Sequence, residues 1–162
     1  MPAPIELRLP RRLWNGLVEQ LHARTGGEIH ESGAFLLGQM TEHGRCVTDV
    51  LYFDDLHPDV HARGVVDLPA AAFRRLWAIV HKRGMQVVGD VHVHPHSARQ
   101  SHIDRQNPLI ATRGHVAIIL PNFARPGIRR WSVGVYVYEG DHQWQSVGGC
   151  GNRFLVLEKD HE

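Results

Sequence analysis

The stretch Gly89–Asp104, GDVHVHPHSARQSHID, carries four of the chain's thirteen histidines in sixteen residues. Side chains two apart along a strand point to the same face. Val87, Val91 and Val93 are therefore expected on one face of a strand, and Asp90, His92 and His94 on the other. Two imidazoles side by side make half of a divalent metal site. Zinc takes His and carboxylate ligands in a tetrahedron and keeps one position open to water when it is catalytic. Pro95 ends the strand. "SHID" (Ser101–Asp104) then reads as a helix start, with Ser101 as N-cap and an acid three residues on. Such a helix would turn Asp104 back toward the strand as a third ligand. Asp90 is expected to accept a hydrogen bond from a ligand histidine's second ring nitrogen. Taken alone, His-x-His also suits a solvated strand face, and the cap stands without a metal.

Glu31 lies sixty residues upstream, just before the apolar run Gly33–Gly38. Metal-assisted hydrolysis needs a general base to take a proton from the attacking water and pass it to the leaving amine. A glutamate at the lip of a strand serves if the fold brings it beside the histidines; otherwise it is an exposed loop acid.

The rest of the chain bounds this reading. Its 162 residues suit one domain, 1–162, with enough mass for a single core. A net charge of +1 gives no electrostatic footprint for nucleic acid or an anionic membrane, and no run approaches the ~20 apolar residues of a membrane span. The basic cluster Arg125, Arg129 and Arg130 reads as a solvated loop. Cys46 and Cys150 lack metal or redox spacing, and no disulfide follows from their number. With no signal-peptide pattern at the start, the expected setting is cytoplasmic.

Periodicity predicts a strand at Ile5–Leu9, then a helix opened by Pro10 with Leu13, Leu17 and Leu21 at helical spacing. Two strands flank the turn "TEHG", followed by a polar loop, "DDLHPDVHARG". A second helix from Pro69 carries Phe73, Leu76, Trp77 and Val80 as one buried stripe. After the histidine strand come a short helix at "SHIDRQNPLIATR" and strands at "HVAIILP", "WSVGVYVYEG", "HQWQSV" and "RFLVLE". Trp131, Tyr136, Tyr138 and Trp144 are expected to pack in the core. The loop Leu56–Gly64 is a candidate substrate-contacting insertion, with His57 and His61 at its surface. The class is α/β (α+β): one mixed sheet flanked by helices.

Together these residues resemble the JAMM (JAB/MPN) zinc metalloprotease family. Its pattern is a glutamate seven residues before a strand-ending glycine, later His-x-His-Pro, a short loop and Ser-x-x-Asp. Glu31 and Gly38, then His92, His94 and Pro95, then Ser101 and Asp104 match it in order, across nearly the whole chain. The resemblance implies a JAB/MPN-like, cytidine-deaminase-like architecture. It implies one Zn2+ on His92, His94 and Asp104, Glu31 as catalytic base and acid, and Ser101 as a catalytic hydrogen-bond donor to the oxyanion or the water. It also implies cleavage after the C-terminal tail of a ubiquitin-like protein or its conjugates, in company with that pathway's activating and conjugating enzymes. The size resembles the compact prokaryotic, deubiquitinase-like branch. The loop from His94 to Ser101 is one residue shorter than the family's, which bears on the placement of Ser101.

Histidine-triad nucleotide hydrolases fit less well, because Pro95 interrupts the strand before His96. PHP phosphoesterases open with a similar motif but need a far longer chain after it. A non-catalytic MPN-type scaffold generally lacks the glutamate or a histidine, both present here. A metal hydrolase acting on a small amide or a sulfur-carrier tail keeps the same residues with a different substrate.

Overall fold

Apolar runs of strand length supply the centre of the molecule, and two amphipathic helices cover it. The computed structural model describes residues 6–61, 66–147 and 151–160. Cys150 and the Ala62–Gly64 part of the proposed insertion lie outside them. Strand β1 (Leu7–Pro10) leads into helix α1 (Arg11–Ala23), then the hairpin β2 (Gly33–Thr41) and β3 (Gly44–Tyr52). Helices α2 (Phe53–Leu56) and α3 (Ala70–Arg83) precede β4 (Gln86–Val93). Then follow α4 (His102–Gln106), β5 (Val116–Leu120), β6 (Gly134–Gly140), β7 (Gln143–Ser146), α5 (Gly151–Phe154) and β8 (Leu155–Glu158). All eight strands form one mixed sheet in the order β7-β6-β5-β4-β2-β3-β1-β8. No helix among the described residues is long and apolar enough to cross a membrane.

The sheet buries a different cluster on each face. On one face, Trp14, Leu17 and Leu21 of α1 meet Leu36, Val88, Val91, Val93 and Ile118. On the other, Leu76 and Val80 of α3 meet Phe35, Leu37, Phe53 and Leu56. Helix α3 stops at Gly84 in the left-handed conformation (φ 63°), which frees the chain to turn directly into β4.

Four expectations change. Val87 does not share a face with Val91 and Val93: it packs on the α3 side, and Val88 takes its place among the α1-side residues. The reason is a bulge, since Leu36 pairs with Gly89 and Leu37 with Val87, leaving Val88 as an extra residue. The polar loop after β3 begins as the one-turn helix α2, whose Phe53 and Leu56 are core, as is Val60 beyond it. Trp77 is 47% exposed; the stripe of α3 runs through Ala72, Leu76 and Val80 instead, rotated by one residue from the expected line. Trp131 is also exposed, Tyr136 and Trp144 are half-buried, and Tyr138 alone of these aromatics is buried.

A second bulge, between Leu37 and Gly38 on the β3 side, brings β3 hard against Gly38. A Cβ on Gly38 would lie 1.8 Å from the Cys46 carbonyl oxygen, so the glycine of the sequence motif is a packing requirement. Gly38→Ala should lower stability by at least ~2 kcal/mol, because backbone rather than a flexible side chain must yield. Thermal and denaturant unfolding of the variant measure this; a loss under half that size would contradict it.

Candidate metal centre

The site is built at the end of β4, on the face that carries α2 and α3. In the β2–β4 ladder Gly33 lies opposite His92 and Phe35 opposite Asp90. Opposed residues share a face, so His92 and Asp90 stand with Phe35 on that side. A Cβ at Gly33 would come within 2.3 Å of Phe53, so a side chain there would displace the ring packed beside the site.

Just before β2, Ser32 carries the pairing one step further. Its carbonyl accepts from Val93 N (2.9 Å), and its hydroxyl donates to the Leu21 carbonyl at the end of α1 (2.6 Å). Glu31 is thereby held beside the histidines, with Oε1 3.8 Å from His94 Nε2. His94 itself is fixed through its backbone: its N–H donates to Leu120 O, and its carbonyl accepts from Phe123 N. Phe123 belongs to a left-handed turn, Asn122–Ala124, whose three residues all have φ near +54°. His22 Nδ1 donates to the Phe123 carbonyl and ties this turn to α1.

Asp104 arrives by the expected device. Ser101 caps α4: its hydroxyl accepts from Asp104 N (3.0 Å), and Asp104 Oδ2 accepts from Ser101 N (2.8 Å). The same carboxylate stands 3.4 Å from His92 Nε2 and 3.1 Å from His94 Nε2, while the two ring nitrogens are 2.9 Å apart. A tetrahedral ion with bonds of ~2.1 Å needs ligand atoms about 3.4 Å apart. The carboxylate meets the imidazoles through different oxygens, Oδ1 toward His92 and Oδ2 toward His94. Each separation lies within half an ångström of that figure, so two imidazoles and one carboxylate converge as a donor set that suits a divalent ion. Ligand atoms of Glu31, His92 and His94 also lie within 4.8 Å of one another. Glu31 is thus close enough to reach the same centre, yet stands wider than Asp104.

Electrostatics divide the two carboxyls. Burial pushes the Glu31 carboxyl up; the neighbouring His92 and His94 only partly offset this. Burial also opposes charge on Asp104, but hydrogen bonds from both imidazoles outweigh it and hold that carboxyl well below the usual range. His92 is raised in turn, its own burial being outweighed by Asp104. The two carboxyls thus shift in opposite directions although both are partly buried.

The structure thus brings Glu31, His92, His94 and Asp104 together, and Ser101 borders the same cavity. Because Ser101 Oγ accepts from Asp104 N, its own O–H remains to donate. Asp90 does not serve a ligand histidine. Its Oδ2 lies 2.6 Å from His115 Nε2, a buried pair. His115 had no signal beyond its place before the apolar strand β5; pairing it with Asp90 requires knowing that β4 and β5 are parallel neighbours. His61 is half-buried and stacks on His30, with centroids 4.2 Å apart. Neither His57 nor His96 joins the site.

No protein-family model matches the chain. It is 26% identical over 129 residues to a curated protein of Sinorhizobium fredii (strain NBRC 101917 / NGR234) described as "Probable metalloprotease y4jG". That alignment covers 79% of this chain and 80% of the relative. Among solved structures, a protein of Desulfitobacterium hafniense matches with a TM-score of 0.65 at 17% identity, covering 96% of this chain and 95% of that one. A protein of Salinibacter ruber (strain DSM 13855) matches with a TM-score of 0.59 at 18% identity, covering 93% and 91%. Likeness at such identities speaks to the fold.

Purified protein should hold one divalent ion per chain, and His94→Ala should reduce this at least about tenfold at equal free metal, since one of three ligands is lost. Elemental analysis after dialysis checks it; equal metal in both proteins would sink the assignment.

Proposed function

We propose that the chain is a zinc-dependent peptidase or isopeptidase of the JAMM (JAB/MPN) type. In this reading it hydrolyses the bond that follows the C-terminal tail of a ubiquitin-like protein, as precursor or conjugate. The observation that carries the proposal is the convergence of two imidazoles and one carboxylate with a second, raised carboxyl at their edge. Similarity to a protein described as a probable metalloprotease supports the metalloprotease class. The ubiquitin-like substrate rests on the motif resemblance.

His92, His94 and Asp104 would hold the ion, which when bound polarises the scissile carbonyl and makes water acidic enough to be activated near neutral pH. Glu31 takes the proton from the attacking water at its carboxylate oxygen. Its burial keeps its basicity above that of an ordinary glutamate, closer to the optimum for proton transfer at neutral pH. The carbonyl carbon becomes tetrahedral, and Ser101 donates its hydroxyl proton as a hydrogen bond to the oxyanion. Glu31 then delivers its proton to the leaving nitrogen as the C–N bond breaks. Asp104, held ionised and pinned by the cap, stays a ligand and does not compete for the proton. We place this chemistry in a cytoplasmic setting.

Glu31→Gln should retain the metal while lowering turnover about 10²–10⁴-fold, the range for losing a general base. A panel of ubiquitin-like fusions, incubated with and without a chelator, tests substrate and metal together. Chelator-sensitive cleavage at the end of the tail supports the proposal. Tight binding without cleavage would point to a scaffold, and an unimpaired Glu31→Gln enzyme would remove the mechanism.

A further inference from the structure

Beyond the metal ligands the cavity continues across β4 onto β5. Its volume of about 640 Å³ is ample for a side chain and matches small-ligand pockets. Leu68, Phe73 and Leu109 line it with apolar surface, and Ala117 and Asp90, paired across the β4–β5 ladder, also line it. Asp90 is 3% exposed, and His115 occupies only its Oδ2. Its Oδ1 accepts no hydrogen bond among the described residues, and it is not among the side-chain atoms sealed from solvent without a partner. An occupant that displaces water from this carboxylate oxygen without supplying a donor leaves it at a cost. The cavity therefore favours an occupant that brings an N–H to that point.

Geometry limits which occupant. Asp90 is two residues before His92, about 6.6 Å along the strand. That span is comparable to the reach of a long side chain attached beside a bond held at His92. The apolar walls suit an aliphatic stem, the part of lysine and arginine that packs while the charged head seeks a polar partner. We propose that this cavity is a side-chain subsite selecting a basic residue next to the scissile bond, with Asp90 as its anchor. The inference rests on the peptidase reading. An aliphatic residue would fill the walls and leave Oδ1 without a donor, and an acidic one would face a like charge.

Two arms test it. In the first, metal-loaded protein is titrated with N-butylguanidinium and with n-pentanol, followed by NMR. Asp90→Asn should weaken guanidinium at least about tenfold, as expected for one charged hydrogen bond, and leave the alcohol unchanged. Ala117→Val, a substitution that strands accept, should weaken both by narrowing the cavity. If Asp90→Asn fails to fold, wild type binding guanidinium no more tightly than the alcohol, or cutting the norleucine peptide as well as the basic ones, overturns the subsite. In the second arm, peptides carry arginine, lysine, norleucine or glutamate on either side of the cleaved bond. Wild type should prefer the basic series by kcat/KM on one side, and Asp90→Asn should erase the preference while still cutting the norleucine peptide. Equal guanidinium binding in wild type and Asp90→Asn overturns the subsite, as does an equal loss of rate on every peptide. Asp90-dependent guanidinium binding with neither these peptides nor the ubiquitin-like fusions cleaved would instead uphold the cavity's preference for a basic group and sink the peptidase.

Discussion

The antiparallel pairing of β2 with β4 is the constraint on which everything else rests. It sets Gly33 opposite His92, and one hydrogen bond beyond the ladder, from Val93 N to Ser32 O, brings Glu31 to the histidines. Residues sixty apart in sequence thereby become neighbours without a flexible loop between them. Because Ser32 also holds the end of α1 through Leu21, the glutamate is braced from two directions. A side chain on such a support has little freedom left to lose, so its position beside the histidines is set by the fold.

The two bulges flanking Leu37 explain how one sheet serves a core and a site at once. Without the bulge at Val88, strict alternation would carry Val87 to the face of Val91 and Val93, and the lower half of β4 would be turned over. The inserted residue leaves a carbonyl outside the β2 pairing, and Arg45 Nη1 donates to it at 3.0 Å. Arg45 also reaches the Gly114 carbonyl just before β5, so one buried guanidinium ties three strand regions together. Its Nε has no partner among the described residues, and burial lowers its affinity for the proton. Irregularity in β4 is thus stabilised by charge-assisted bonds on the face opposite the chemistry.

What the sequence made legible was local. Strand alternation over His92 and His94 spans three residues, the Ser101–Asp104 cap spans four, and both depend only on backbone periodicity. Glu31 was legible through its spacing to Gly38, now explained by the close approach of β3. The features that escaped depend on pairings that alternation cannot specify. The bulge at Val88 needs the β2 register, and the Asp90–His115 pair needs β5 beside β4. Trp77 was misplaced because a helix stripe read from residue type favours the largest apolar side chain. The fold chose Ala72, a small residue that lets α3 approach α2 and the sheet.

Helix α4 has five residues and buries none of them. Nothing in the core compels it to form, and so short a helix is marginal by itself. What holds it is the cap, and the cap's carboxylate is shared with the two imidazoles. If an ion is held by those same groups, its binding and the ordering of α4 are coupled. The affinity of such a site would contain the cost of ordering the segment, and this wall of the cleft is built as a clasp that an ion would fasten.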